Sequence, residues 1–306
     1  MSQSKLFEAL EGVVAVAVTP LREDGSLDLD DHARLVKRLV ENGVRAITVN
    51  GNTSEFYSLT AEEATRVVAG AAQAAKQRAV VIAGVGLDVA TAIEQAKAAE
   101  SAGADAVMVH QPVHPHQSQA GWIAYHETVC RAVPRLGVLL YVRDPHVQPA
   151  MIARLADRCP NLVGIKYAVA DPVRFAQMVQ GEGGRRLVWL CGLAELWAPF
   201  FAVAGARGFT SGLVMVAPQL SLSMQEQLRA GDMVGAMRTW QMVWPFEELR
   251  ARDRSANNVP VVKEALAQLG IVNRTVRPPL SLLEEADRHE VAAIVGAWRG
   301  QGARLG

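Results

Sequence analysis

The strongest constraint on the fold of this chain is a regular alternation of two hydrophobic patterns. Short apolar runs rich in β-branched residues, with the length of buried strands, alternate with longer segments whose apolar residues recur at helical spacing. Eight strands are predicted, at residues 12–18, 46–50, 80–85, 106–110, 138–141, 162–166, 187–191 and 208–211. Each is followed by a predicted helix, at residues 30–41, 61–77, 90–102, 119–132, 149–158, 172–180, 194–204 and 217–228. Eight such units predict a closed (β/α)₈ TIM barrel, with an open doubly wound sheet as the alternative.

The chain beyond residue 228 has a different pattern, because no further strand is predicted there. Its apolar residues recur at helical spacing near residues 233–250, 259–269 and 283–298. The predicted organisation is therefore a barrel formed by residues 1–228 and a C-terminal helical appendage, residues 229–306, packed on the barrel.

The composition excludes several classes of protein. Hydrophobic residues make up 50% of the chain, so it can bury a large core and is not predicted to be disordered. Its 31 basic and 31 acidic residues cancel, which gives no electrostatic attraction to nucleic acid or to an anionic membrane. An odd count of 3 cysteines argues against a disulfide framework. With a charged N-terminus and no long apolar segment, a soluble cytoplasmic protein that acts on a small molecule is expected.

Lysine is the most informative residue type at the predicted strand ends, where the reacting groups of such barrels lie. Five of the lysines, at positions 5, 37, 76, 97 and 263, stand in helical or terminal segments and are expected at the surface. Lys166 instead ends the apolar run 162–165. Partial burial there would lower its pKa and expose the neutral amine that attacks a carbonyl. The alternative is a lysine that extends past the strand into solvent.

Two further features lie at predicted strand ends. Tyr141 ends the strand before that of Lys166, so the two should be neighbours, and its phenol could relay protons; a packing role at the rim is the alternative. The segment 51–57 follows strand two, and its small residues would let backbone amides converge on a carboxylate. A plain polar turn is the alternative there.

Two motifs suggest cofactors only weakly. His110, His114 and His116 cluster after strand four, and three imidazoles could hold zinc or iron, but no carboxylate lies among them. The glycine pair at residues 84 and 86 is too short to be a nucleotide-binding fingerprint. Neither a metal nor another cofactor is therefore predicted.

Taken together, the segment 51–55, Tyr141 and the segment 164–166 resemble the dihydrodipicolinate synthase/N-acetylneuraminate lyase superfamily of Schiff-base-forming (β/α)₈ enzymes. The resemblance covers nearly the whole chain. It implies that Lys166 is the Schiff-base lysine, that Tyr141 is the proton relay, and that Thr53 and its neighbouring amides bind the carboxylate of a keto acid. It also implies a homotetramer.

Within the superfamily, the chain is most similar to 5-keto-4-deoxyglucarate dehydratases. Residues 54–60 are similar to the segment that reads G-E-F-F-S-L-T in that branch, and residues 141–144 to its tyrosine followed by N-R-D. Arg143 is therefore predicted to bind the second carboxylate of a sugar diacid through its planar guanidinium. A salt bridge with Asp144 or another loop carboxylate is the alternative.

Several positions depart from the pattern of the superfamily. Ser54 replaces a glycine of the dehydratases, and could distort the loop if that position needs a positive φ. Met215 replaces their asparagine, whereas Thr210 and Ser211 stand where they have a serine pair that could orient a leaving hydroxyl. Dihydrodipicolinate synthases differ further, and the differing positions are Asn52, Val113, His114 and His146. The resemblance thus argues against synthase activity.

The sequence therefore predicts a class I lyase that dehydrates a 2-keto-3-deoxy sugar acid, with Lys166 and Tyr141 as catalytic residues. The predicted substrate-binding residues are Asn52, Thr53, Ser54, Arg143, Thr210 and Ser211. A pyruvate-releasing aldolase is one alternative. The other is an inactive keto-acid-binding barrel, which the departures at Asn52, Ser54, His114 and Met215 motivate.

Overall fold

The computed structural model describes residues 3–303 and 305 and confirms the closed parallel barrel. Each strand pairs in parallel with the next, and the last pairs with the first. The strands are β1 (Val13–Val16), β2 (Ala46–Val49), β3 (Val80–Val85), β4 (Ala106–Val109), β5 (Gly137–Val142), β6 (Leu162–Tyr167), β7 (Val188–Cys191) and β8 (Gly208–Ser211). All eight lie at the predicted positions, so the open sheet is excluded.

Helices lie between consecutive strands and after the last. They are α2 (Leu29–Glu41), α3 (Ala61–Ala75), α4 (Val89–Ser101), α5 (Gln119–Ala132), α6 (Pro149–Arg158), α7 (Pro172–Gln180), α8 (Ala194–Val203) and α9 (Pro218–Ala230), after a first helix α1 (Gln3–Leu10). Side-chain caps begin several of them: Thr60 and Glu63 form a reciprocal capping box at the start of α3. Local sequence thus fixes where these helices begin.

The apolar residues form two separate cores. The larger fills the space between the strands and the surrounding helices. The smaller fills the inside of the barrel, where Val14, Ile82 and Leu190 meet, and Tyr141 belongs to the same cluster. The interior is therefore a packed core rather than a pore, as expected for eight strands.

Helix α1 was not predicted from the sequence, and it closes one end of the barrel. Its Leu6 and Leu10 are buried in the inner core against the strands. The fit is close, because a Cβ at Gly137 would lie 2.3 Å from the Leu6 side chain. The N-terminal end of the barrel is thus covered by apolar side chains.

The chain after α9 forms three more helices, α10 (Met233–Ser255), α11 (Asn258–Gln268) and α12 (Glu285–Gly300). Helix α10 contacts α8 and α9 and reaches the C-terminal end of the strands, where its helical geometry breaks at Arg252. The next three residues adopt left-handed backbone angles: Asp253, Arg254 and Ser255. The break lies at the mouth of the barrel. No helix in the described part of the chain is long and apolar enough to cross a membrane.

One buried histidine gives the fold a dependence on pH. His32 on α2 is 1% exposed, and neither ring nitrogen has a hydrogen-bond partner among the described residues. Burial lowers its pKa to about 4. Because the pKa is lower in the folded than in the unfolded chain, its contribution to stability is complete above about pH 6.5 and is lost as the pH falls towards 4.

We therefore expect His32→Leu to weaken the acid sensitivity of the fold. Between pH 7 and pH 4 the variant should lose roughly 3 kcal/mol less free energy of unfolding than the wild type. Urea denaturation at a series of pH values measures this difference. His289→Leu is the control, because that side chain is exposed on α12. The same acid-induced loss in wild type and His32→Leu would contradict the assignment.

Candidate active site

Lys166 and Tyr141 lie side by side at the C-terminal ends of β6 and β5. They are paired in the register of the two strands, and Lys166 Nζ lies 4.2 Å from the centre of the Tyr141 ring. Both line a cavity of about 250 Å³ at this end of the barrel. Five of the six predicted substrate-binding residues line the same cavity: Asn52, Thr53, Arg143, Thr210 and Ser211.

The amine of Lys166 is held in a dry and positively charged environment. The side chain is 4% exposed, which excludes the alternative of a lysine that extends into solvent. Burial lowers its pKa to about 7, and the charges of Arg143 and Arg250 act in the same direction. No carboxylate forms an ion pair with it in the part of the chain that the structure describes. A large share of this amine is therefore neutral near pH 7 and able to attack a carbonyl carbon.

The phenol of Tyr141 is kept protonated. Burial raises its pKa, and Asn52 Nδ2 donates a hydrogen bond to its hydroxyl oxygen at 3.3 Å. The hydroxyl proton is thus left for another acceptor. A neutral phenol beside an amine suits proton transfer to and from a carbinolamine oxygen.

The loop after β2 offers two backbone amides to the cavity side. The amides of Gly51, Ser54, Glu55 and Phe56 all donate hydrogen bonds within the loop. Those of Asn52 and Thr53 have no acceptor among residues 3–303 and 305. Free amides beside a buried threonine are the donors that a carboxylate requires.

Ser54 is the one predicted binding residue that the structure does not bring to the cavity. Its side chain is fully buried within the loop, where Oγ accepts from Gly51 N at 3.0 Å. The left-handed residues of the loop are Asn50 and Glu55 rather than Ser54. A serine therefore fits here without backbone strain.

Arg143 lies at the mouth of the cavity. Its guanidinium carbon is 5.9 Å from the centre of the Tyr141 ring, and it also borders a second cavity of about 290 Å³ towards Tyr57 and Arg254. The alternative salt bridge with Asp144 does not form, because Asp144 accepts from His146 instead. Among the described residues no carboxylate pairs with Arg143, so its charge is available to a ligand.

The residues around β8 are more constrained than their sequence suggests. Thr210 Oγ1 donates to Cys191 O at 3.4 Å, and the Ser211 hydroxyl donates to Glu195 Oε1. Met215 is buried away from the cavity, and its Sδ accepts from Val18 N at 3.2 Å. The thioether therefore has a structural contact and does not line the cavity.

The histidines after β4 do not converge on one point. His110 is buried, stacks on Phe56 and has its Nε2 2.9 Å from Asn50 O. His114 and His116 lie on an exposed loop and contact each other. The described residues contain no group of three potential ligands that could hold a metal ion.

The chain matches the Dihydrodipicolinate synthetase family over residues 9–298. It belongs to that family. A sequence relative, named probable 5-dehydro-4-deoxyglucarate dehydratase, from Methylobacterium radiotolerans, is 35% identical over 94% of this chain and 95% of its own length. The chain is accordingly a lyase of the family, as the sequence predicted.

Solved structures of family members have the same fold. A dihydrodipicolinate synthase from Bacillus clausii superposes with a TM-score of 0.92 at 41% identity, covering 96% of this chain and 99% of its own. YagE of Escherichia coli K12, a prophage protein solved in complex with pyruvate, has a TM-score of 0.85 at 28% identity over 96% of this chain and 99% of its own. The relatives agree on fold and family and differ in the reaction they are named for.

Sequence reasoning missed a buried ion pair behind the active-site loop of this family member. Lys263, expected at the surface, is completely buried; its Nζ donates to Glu55 Oε1 and, at 2.7 Å, to Thr275 O. Glu55 Oε2 accepts from Arg277 N at 3.0 Å. The pair thus ties the loop after β2 to α11, and its further hydrogen bonds tie both to the segment before α12. The buried apolar run 259–262 just before Lys263 was the available signal.

A second missed group stands behind β8. Glu195 near the start of α8 is completely buried, and it accepts hydrogen bonds from the hydroxyls of Ser211 and Ser221. Beside it on α10, Glu247 accepts two hydrogen bonds from Arg250 Nη1, at 2.7 and 2.9 Å. Glu195 is the one charged residue of α8, and a lone charge in an apolar helix was its signal.

The ion pair between Lys263 and Glu55 gives a prediction about stability. Lys263→Met leaves the Glu55 carboxylate buried without its cation, so we expect a loss of about 3–5 kcal/mol in the free energy of unfolding at pH 7. Adding Glu55→Gln should recover part of it, because the unpaired charge is then gone. Urea denaturation measures both, with Lys97→Met on the exposed face of α4 as control. A single variant as stable as the control would refute the coupling.

Proposed function

We propose that this protein dehydrates a 2-keto-3-deoxy sugar diacid through a Schiff base on Lys166, in the manner of a 5-dehydro-4-deoxyglucarate dehydratase. The observation that carries the proposal is the buried amine of Lys166 beside the protonated phenol of Tyr141, at the base of a cavity. The names of the relatives that share about a third of its residues support the dehydratase branch.

Lys166 begins the reaction by attacking the 2-keto carbon of the substrate. Tyr141 passes a proton to the carbinolamine oxygen, water leaves, and an iminium ion forms. The positive nitrogen withdraws electrons and acidifies the hydrogens on C3. Loss of one of them gives an enamine, which expels the C4 hydroxyl. The resemblance to 5-keto-4-deoxyglucarate dehydratases further implies loss of a carboxyl group as carbon dioxide.

The two ends of the cavity suit the two carboxylates of a diacid. The free amides of Asn52 and Thr53 would bind the carboxylate next to the keto group, near Lys166. Arg143 at the mouth would bind the distal carboxylate, since its guanidinium forms parallel hydrogen bonds to planar anions. The YagE complex with pyruvate supports a keto acid as the ligand of this kind of site.

The residues of this chain favour dehydration over the synthase reaction, although a synthase relative is 41% identical. From the resemblance, synthases are expected to have an arginine at the position of His146 and a tyrosine pair at the positions of Val113 and His114. Here His146 and His114 lie on exposed loops, and His146 is bonded to Asp144. Retention of Lys166 and Tyr141 supports an active enzyme rather than an inactive binding barrel.

We also propose that the enzyme works in the cytoplasm as a homotetramer without a cofactor. Its three cysteines are free and buried, which suits a reducing compartment. The tetramer is what the resemblance to the superfamily implies. Size-exclusion chromatography with light scattering tests it.

Borohydride reduction in the presence of pyruvate tests the central step. We expect a stable secondary amine on Lys166, with the corresponding increase in mass, and no adduct in Lys166→Ala. Tyr141→Phe should still be trapped but turn over roughly 10²- to 10⁴-fold more slowly, because the proton relay is lost. Lys97→Ala is the control. An adduct on another lysine, or none on the intact protein, would exclude the Schiff-base mechanism.

Arg143→Ala tests the assignment of the distal carboxylate. We expect kcat/KM for a keto-deoxy diacid to fall far more than kcat/KM for the monoacid of the same length, because only the diacid has a group for the guanidinium to bind. Arg143→Lys should recover a part, since an ammonium keeps the charge and loses the planar fork. Equal losses on both substrates would assign Arg143 a structural role. Release of pyruvate from either substrate would identify an aldolase instead.

A further inference from the structure

The proposed reaction needs an acid, because a C4 hydroxyl leaves readily only as water. Five hydroxyl groups border the cavity, those of Thr53, Tyr141, Thr210, Ser211 and Ser255. Thr53 stands at the proposed carboxylate site, and Ser255 is exposed at the break in α10. Tyr141 already transfers a proton to the carbinolamine in the proposed reaction, and the Thr210 hydroxyl donates its hydrogen bond to Cys191 O. Ser211 is the hydroxyl whose hydrogen-bond partner is itself an acid.

Ser211 connects the cavity to Glu195, which lies behind the cavity wall. Its Oγ donates to Glu195 Oε1 and accepts from Val214 N at 2.8 Å. The cavity surface includes Ser211 and not Glu195. Any exchange of a proton between Glu195 and a ligand would therefore pass through the Ser211 hydroxyl.

The surroundings of Glu195 favour its protonated form. The side chain is completely buried, and Oε2 has no hydrogen-bond partner in the part of the chain that the structure describes. Burial raises the pKa of Glu195 to about 7, the Glu247 carboxylate raises it too, and Ser211, Ser221 and Arg250 act the other way. The remaining titratable neighbour is the Cys191 thiol on β7, which burial keeps neutral by raising its pKa to about 12.

Glu247 is the other acid at this wall, and its hydrogen bonds make it a poor candidate for the proton donor. Both of its oxygens accept from Arg250 Nη1, and Arg250 is itself held by Asn258 through Nη2 at 2.6 Å. Glu247 is thus held in an ion pair with Arg250. Glu195 forms no ion pair of its own among the described residues, and the Glu247 carboxylate raises its pKa.

We propose that Glu195 supplies, through the Ser211 hydroxyl, the proton with which the C4 hydroxyl of the substrate leaves as water. This rests on the proposed function, since it assigns the acid of that dehydration. Glu195 is a positioning and proton-storing residue here, and Ser211 is the group that contacts the substrate.

The step balances without a further reactant. The nitrogen lone pair of the enamine on Lys166 re-forms the C=N bond, the C2=C3 electrons become the C3=C4 bond, and the C4–O bond breaks with its electrons on oxygen. That oxygen takes the Ser211 proton and leaves as water, while Ser211 Oγ takes the proton from Glu195 Oε1, the oxygen that it contacts. Glu195 is left as a carboxylate that accepts the Ser211 hydroxyl, and it regains a proton from water in the cavity by the same path before the next turnover.

Glu195→Gln separates this role from simple packing. Glutamine keeps the size and an acceptor for both serines but has no proton to give. We expect kcat for dehydration of 5-keto-4-deoxyglucarate to fall roughly 10²- to 10⁴-fold with little change in KM. Exchange of the pyruvate methyl hydrogens with D₂O, followed by NMR, should continue at the wild-type rate, because it needs Lys166 and Tyr141 but no acid for a leaving hydroxyl.

The pH profile and a second pair of variants complete the test. In the wild type, kcat should fall as the pH rises through the titration of Glu195, because the acid form is the active one, and this limb should be absent from Glu195→Gln. Ser211→Ala should lose as much as Glu195→Gln, and the double variant little more. Ser221→Ala is the matched control: it removes a hydrogen bond to Glu195 without touching the cavity, so it should move the limb to higher pH and keep the maximal kcat.

The outcomes distinguish this proposal from the one it rests on. A wild type that exchanges no pyruvate hydrogen would overturn the Schiff-base function and the proton path together. A wild type that exchanges and dehydrates, with Glu195→Gln dehydrating equally fast or losing exchange and dehydration in parallel, would overturn the proton path alone. Loss of dehydration with exchange retained supports it.

Discussion

The site depends on the hydrogen bonding of the last strand of the barrel to the first. β8 pairs with β1 through three residues, and this closure turns the carboxyl ends of all eight strands towards one space. Tyr141, Lys166 and Ser211, which are far apart in sequence, meet there. Closure requires a glycine, because a Cβ at Gly208 would lie 2.3 Å from Gly12 O. The chemistry of the cavity thus follows from a backbone contact at the opposite end of the strands.

Exclusion of water acts on the two sides of this cavity in complementary ways. Burial destabilises a charged ammonium at Lys166 and a charged carboxylate at Glu195, so each group moves towards its neutral form. One neutral form is a nucleophile and the other is an acid. Arg143 and Arg250 reinforce the first effect, and Glu247 reinforces the second. The same dry interior therefore prepares both ends of one reaction.

The sequence could predict those parts of this arrangement that depend on local interactions. The strands, the helices between them and the neighbouring positions of Tyr141 and Lys166 depend on hydrophobic period and on strand order, both of which can be read along the chain. Lys263 was misjudged because its partner Glu55 stands 208 residues away. Helix α1 was missed because its apolar face is short and is defined by the barrel end that it covers.

The departures from the superfamily pattern have a similar explanation. Ser54 looked disruptive because a glycine usually stands there, yet the left-handed backbone falls on its neighbour Glu55, whose side chain is fixed by Lys263. Met215 looked like a lost binding group, yet its sulfur accepts a hydrogen bond from the backbone amide of Val18, in the loop after β1. Which of two adjacent residues carries an unusual backbone angle depends on tertiary contacts, so the sequence does not reveal it.

Helix α1, which covers the N-terminal end of the barrel, has a consequence for substrate entry and product release. Leu6 and Leu10 fill the space below the inner core, so a charged molecule has no polar route to Lys166 from that side. Under the proposed function, the incoming diacid and the outgoing product would therefore pass the same rim, beside Arg143 and the break in α10. A product that still carries a carboxylate competes with the next substrate for that rim. Product release would thus have to precede the binding of the next substrate, and the cause lies in apolar packing at the opposite end of the barrel.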